Sequence, residues 1–314
     1  MTRPTHPATT ASTSADAARG ALLVVAGAAL FGTVGTARAL GPDAPALPVA
    51  AARLVLASVL FAAVALWLAS RRPGRAPAGV GRALRTPAVW TAAVGQAAFQ
   101  WCFLSAVTQA GVAVGTLVAI GATPLITGAL SRRVHRRWAA ATGIALVGLV
   151  LLVGFGPVPD LGGLVFAFGA AASYAVYLVA GTGIAQAQQR HGLRLDTALT
   201  VVFSLAAGLL VVPALATGPW TWLVTPSGVA MTVYLALVPT VAAYHLLNAG
   251  LRAVAAGTAA TLALTEPVVA TALGVVVLDE RLTAVSALGA VLVLTAVLVL
   301  VRAPTRPAET VGAR

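Results

Sequence analysis

Glu266 stands in the stretch LTEPVVATALG, residues 264–274, close to the centre of an apolar run at 254–277 and directly before Pro267. An ionised carboxylate at mid-bilayer costs on the order of 2.5–3.5 kcal/mol on insertion scales, so such a residue faces a bundle interior or a water-filled cavity. A carboxyl held there can gain and lose a proton, or it can bind the ammonium of a solute. It can also be structural, pairing with Arg53 or Arg38 or bonding backbone groups near Pro267. Both arginines lie near span ends in the sequence, where a long side chain reaches the interface. Other polar residues fall at similar depth. Gln96 and Gln100 are spaced i, i+4 and share a helical face, with Trp101 and Phe103 beside them as candidate pocket wall. Tyr174 and Tyr177 are i, i+3 partners whose hydroxyls need hydrogen-bond partners wherever they are buried. His245, in YHLLNAGLR, is either a proton relay or a packing histidine, and shares a face with Asn248.

These residues require helices that cross a membrane. The chain has 314 residues, of which 59% are hydrophobic and 9% charged, and its mean hydropathy is +0.94. Ten apolar runs approach the ~20 residues that span a bilayer: 20–40, 48–70, 87–107, 111–130, 138–156, 161–183, 197–217, 227–250, 254–277 and 282–302. The prolines in the eighth and ninth runs, Pro239 and Pro267, are tolerated where neighbours satisfy the freed backbone groups.

The net charge of +12 comes from 20 basic residues, all arginine. With the N-terminus in the cytoplasm, Arg281 alone falls in an external loop and Arg38 and Arg53 fall within spans. The remaining arginines all lie in cytoplasmic segments, as the positive-inside rule requires. The charge therefore reports orientation in the cytoplasmic membrane, with both termini inside, and not a nucleic-acid partner. The tails, 1–19 and 303–314, are expected to be cytoplasmic, the first of them disordered. Taking 37–39 (ARA) as a signal cleavage site would instead leave nine spans.

An offset of 142 residues aligns the first run with the sixth, matching Gly20 with Gly162, Gly27 with Gly169 and Ala28 with Ala170. The same offset lays Gly111, Gly115, Ala119 and Thr123 over Ala253, Gly257, Thr261 and Thr265. Each set is a small-residue stripe of the kind that lets membrane helices approach closely, and each runs into a proline, Pro124 or Pro267. The halves 20–156 and 161–302 each hold five spans, an odd number, so the second half enters from the opposite side. Inverted repeats with a site between them are a recurrent plan of secondary transporters.

The segments FGTVGTA (31–37), ARLVLA (52–57), GVAVGTLVAIGATPLITGAL (111–130), AASYAVYLVA (171–180) and LTEPVVATALGVVVLDERL (264–282) resemble the paired five-helix repeats of the drug/metabolite transporter superfamily, EamA type. The resemblance covers residues 20–302 and departs at SRRVHRRW (131–138), where the family usually shows a Gly-Glu-Arg-like turn. It implies an all-α membrane protein of ten helices that exports amino acids, other small metabolites or drugs. The residues add a pathway lined by Glu266, Gln96, Gln100, Tyr174, Tyr177 and His245, with Gly111, Gly115, Pro124, Gly257 and Pro267 for packing and hinging.

No phosphate-binding glycine loop, metal-ligand motif or catalytic constellation is visible, so neither an enzyme nor a cofactor is expected. The expected partners are a small-molecule substrate and the lipid bilayer, with the chain a monomer or homodimer. Alternating access coupled to protons through Glu266 is the first expectation. An uncoupled facilitator or exchanger is the alternative, and a membrane-embedded enzyme or binding component is more remote.

Overall fold

A bilayer core offers no water to backbone amides, so a spanning segment must satisfy its hydrogen bonds internally. The computed structural model, which describes residues 8–71, 79–132, 135–154 and 160–302, is built of helices and the turns that join them, with no strand among the described residues. In chain order the helices are α1 (Ala8–Phe31), α2 (Thr33–Ala39), α3 (Ala46–Ser70), α4 (Val80–Leu84), α5 (Pro87–Ser131), α6 (Arg136–Val153) and α7 (Leu161–His191). They continue as α8 (Leu195–Leu215), α9 (Pro226–Ala236), α10 (Ala243–Gly250), α11 (Ala256–Leu262), α12 (Thr265–Val277) and α13 (Ala284–Arg302). A π-helical turn, Leu237–Ala242, joins α9 to α10.

Nine spans among the described residues are long and apolar enough to cross a membrane. The helical stretch 87–110 is not among them, because Gln96 and Gln100 sit at its centre. It is nonetheless a separate crossing. The chain breaks at Gly111, whose φ of 80° is a conformation glycine adopts without steric cost. A Cβ on Gly115 would lie 3.1 Å from the backbone of Ala106. In a continuous helix these residues would be ~13 Å apart, so α5 folds back on itself as a hairpin. Large side chains such as Leu66, Val212 and Val276 project from the outer surface, a distribution suited to lipid.

The helices pair across the chain. α1 packs chiefly on α10, α3 on α8, α5 on α7 along its first half, and α6 on α13, while the second half of α5 also meets α11. Numbered by crossings, these are 1 with 8, 2 with 7, 3 with 6, 4 with 9 and 5 with 10. Advancing every member by five returns the same set, which is the signature of a two-fold relation between halves. The α6–α13 pair depends on glycine, since a Cβ on Gly148 would lie 2.7 Å from the carbonyl oxygen of Gly289.

Two expectations change. Residues 8–19 are not a disordered tail but part of α1, and Ala17 is buried; alanine, the best helix former, recurs through this stretch. Residues 1–7 and 303–314, the loop arginines Arg72, Arg75 and Arg133, and 155–159 lie outside the described residues. The small-residue stripes also do not all face each other. Gly111 is exposed and meets nothing, so it serves the turn, and Gly115 packs within its own hairpin. Gly257 does face the fourth crossing, where a Cβ on it would lie 3.6 Å from the Cα of Gly128, and Thr261 bonds the Thr142 hydroxyl at 2.8 Å.

Gly148→Leu is expected to force α6 and α13 apart, at a cost of roughly 1–3 kcal/mol for overpacking, and to lower the midpoint of thermal unfolding in detergent. Gly143→Ala, at a position where a Cβ meets nothing within 4 Å, should leave that midpoint unchanged or raise it.

Candidate functional site

Two prolines shape the site. Pro239 has no N–H to offer the carbonyl of Leu235, and the Thr240 hydroxyl donates to that oxygen instead, at 2.7 Å. The extra residue of the π turn is accommodated there, and it sets the rotation of Tyr244 one turn later. Pro267 similarly cannot continue α11. The ninth crossing breaks at Ala263 and Leu264, and the Glu266 N–H closes on the Ala263 carbonyl at 2.9 Å. Pro267 then lies in the first turn of α12, where a missing N–H costs nothing.

The break places Glu266 at the positive N-terminal end of α12, where a carboxylate is favoured. Gly32, between α1 and α2, makes room for it: a Cβ there would lie 2.6 Å from the Glu266 carbonyl oxygen. Pro124, by contrast, is buried in the second half of α5, which runs through it without a break.

Glu266 faces a cavity of about 120 Å³ lined by residues of seven crossings, among them Arg53, Phe99, Gln100, Tyr174 and Tyr244. The cavity reaches Ala46 and Ala50 in the first turns of α3, so it extends toward the end of the bundle where residues 40–45 join α2 to α3. Toward the other end it is closed by a hydrogen-bonded layer. The Tyr244 hydroxyl donates to Gln96 Oε1 at 2.9 Å. Asn248, one helical turn further along, donates from Nδ2 to the Tyr177 hydroxyl at 2.7 Å and to the Tyr244 carbonyl at 2.9 Å. The rings of Tyr177 and Tyr244 meet edge-on, with centroids 5.4 Å apart.

The sequence-derived residues divide accordingly. Glu266, Gln100 and Tyr174 line the cavity. Gln96 and Tyr177 are fully buried in the closing layer below it. Phe103 is part of the wall, whereas Trp101 turns outward and is 42% exposed.

His245 does not reach the cavity. It follows Tyr244 by one residue and is therefore rotated ~100° around the helix, where its ring lies 5.3 Å from that of Phe61 and its Nδ1 is 3.3 Å from the Val241 carbonyl. The face shared with Asn248 belongs to Tyr244, at i, i+4, and this spacing in YHLLN was the available signal.

Arg53 corrects a second expectation. It does not reach the interface but lines the cavity with Glu266, its Nε buried and without a hydrogen-bond partner. Among the described residues the ion pair within 4.0 Å is Arg194 with Asp196. Arg53 and Glu266 thus share one cavity without touching.

A Tyr177→Phe substitution removes one hydrogen bond from the closing layer, worth ~1 kcal/mol or about a fivefold shift in its opening. Leu251, beside Asn248 and 3% exposed, reports that opening. Introduced as Leu251→Cys in a Cys102→Ser background, it should label about five times faster with a thiol reagent when Tyr177 is replaced.

Comparison with known proteins agrees with this architecture. The model of the EamA-like transporter family matches residues 161–302. The chain is 34% identical over 293 residues to YwfM of Bacillus subtilis (strain 168), described as an uncharacterized transporter, covering 91% of this chain and 94% of that one. It is 34% identical over 158 residues to the threonine/homoserine exporter RhtA of Escherichia coli (strain K12), covering 48% of this chain and 50% of RhtA. A solved crystal structure of a protein 22% identical in sequence superposes with a TM-score of 0.75, over 89% of this chain and 95% of that one, so the two share a fold.

Proposed function

This chain belongs to the EamA-like transporter family, and from that premise we propose that it is a secondary active exporter of small metabolites, working by alternating access with proton coupling through Glu266. The two five-helix halves, 20–156 and 161–302, rock about the cavity between them in the cytoplasmic membrane, with both termini inside. In the conformation described, the cavity is closed on one side by the layer of Gln96, Tyr177, Tyr244 and Asn248. Transport requires that this layer part while the side near residues 40–45 closes. Tyr244 connects the two events, since its ring lines the cavity and its hydroxyl holds Gln96.

The observation that carries the reading is Glu266 itself. It faces the cavity from the N-terminus of a half-helix, with no cationic side chain among the described residues within 4.0 Å to neutralise it. Half-helix ends at a mid-membrane site are where secondary transporters hold substrates and coupling ions. A carboxylate without a fixed partner is free to take a proton from one side and release it to the other, or to exchange that proton for the substrate. The partial relative RhtA, named as a threonine/homoserine exporter, supports small polar solutes as the cargo and export as the direction.

The test is an extracellular metabolite profile of cells overexpressing the chain, beside empty vector and Glu266→Gln at matched expression. A few small metabolites should be enriched outside with the intact chain, and Glu266→Gln should lower that enrichment at least tenfold and remove its dependence on external pH. Wild-type export with an unchanged pH profile in Glu266→Gln would transfer the reading to an uncoupled facilitator or exchanger.

A further inference from the structure

The cavity holds two opposite charges that do not pair, and two hydrogen-bond donors with nothing to donate to. Arg53 and Glu266 both line it, yet no guanidinium nitrogen of the one lies within 4.0 Å of a carboxylate oxygen of the other. The Arg53 Nε is buried without an acceptor, and so is the Nε2 of Gln100, which lines the same cavity. Glu266 accepts no hydrogen bond from any described side chain; its backbone N–H is the group engaged, on Ala263. A buried donor left unpaired is costly and calls for a partner. A guanidinium is a rigid fork matched to a carboxylate. The surrounding wall, from Phe31, Phe99, Tyr174 and Tyr244, is aromatic and supplies no anion for Arg53 and no cation for Glu266.

Resting on the reading of this cavity as the transport site, we propose that Arg53 is its anion-binding residue, so that Arg53 and Glu266 form two poles selecting a short zwitterion with a carboxylate at one end and an ammonium at the other. The substrate carboxylate meets Arg53 and the amide nitrogen of Gln100, and its ammonium meets Glu266. One molecule then satisfies both charges and both orphaned donors. A solute with only one of the two charges leaves the opposite pole unpaired in a poorly solvated site, and a site built for two polar groups rejects an analogue lacking one of them. The cavity of about 120 Å³ favours a short cargo, and one pole of each sign favours one carboxylate with one ammonium.

Three probes separate the poles: threonine, 1-amino-2-propanol (threonine without its carboxylate) and 3-hydroxybutyrate (threonine without its amine). Their binding to the purified full chain in lipid nanodiscs is measured by thermal shift and by titration calorimetry. Threonine should bind the wild type at least thirtyfold more tightly than either half. Arg53→Gln should lose that advantage over 1-amino-2-propanol while binding the amine as before, and Glu266→Gln should lose it over 3-hydroxybutyrate while binding the acid as before. Arg53→Lys keeps the charge without the fork and should fall between wild type and Arg53→Gln, a graded result that misfolding does not produce.

Wild-type threonine binding in Arg53→Gln, or equal weakening toward threonine and the amine in a monodisperse protein, overturns the proposal. If cells export metabolites through Glu266 but those metabolites carry a single charge or none, the two-pole reading fails while the transport reading stands. If Glu266→Gln exports as the wild type does and none of the probes binds, the cavity is not the transport site and both readings fall.

Discussion

Every backbone polar group within the bilayer must find a partner inside the protein, and the site exists because two prolines violate the helical solution to that demand. Pro239 frees the Leu235 carbonyl, which the Thr240 hydroxyl recovers. Pro267 ends α11, and the freed Ala263 carbonyl is recovered by the N–H of Glu266. Both repairs lie next to the cavity, and each fixes a functional side chain: the π turn rotates Tyr244 inward, and the restart of the helix puts Glu266 at a positive helix end. Local repair and the position of the site are one event.

The same economy governs how the cavity is closed. Four polar side chains, Gln96, Tyr177, Tyr244 and Asn248, meet in a region from which water is excluded. Their mutual hydrogen bonds are incomplete, since Gln96 Nε2 and Asn248 Oδ1 are buried without partners. A fully satisfied network rigidifies a core. An incompletely satisfied one has less to lose on parting. The α6–α13 contact through Gly148 and Gly289 is the opposite kind of joint, with backbones in direct contact and no polar group to rearrange.

Sequence patterns exposed much of this and hid the rest for definable reasons. Helices and crossings were legible because apolar length is a one-dimensional property, and Glu266 stood out because a charge in an apolar run has few innocent explanations. Gln96 and Gln100 were visible as a pair, but they divide between the closing layer and the cavity, which i, i+4 spacing alone does not resolve. His245 has the chemistry of a relay, but its ring lies tilted against Phe61, while its neighbour Tyr244 carries the contacts. Arg53 lies near a span end in the sequence, which points to the interface, whereas the neighbouring crossings enclose it around the cavity.

The amino-acid sequence by itself determined the all-helical membrane architecture, the two-fold duplication, the proline breaks and the presence of a carboxylate at mid-depth. Those follow from composition and periodicity, which act along the chain, and from the bilayer's demand on the backbone. The tertiary structure alone decided which side chains look into one cavity, that Arg53 and Glu266 face each other without pairing, and that Tyr244 links the cavity to the layer beneath it. Those relations join residues on different crossings, and they are fixed by helix rotation and close packing, which no single helix encodes.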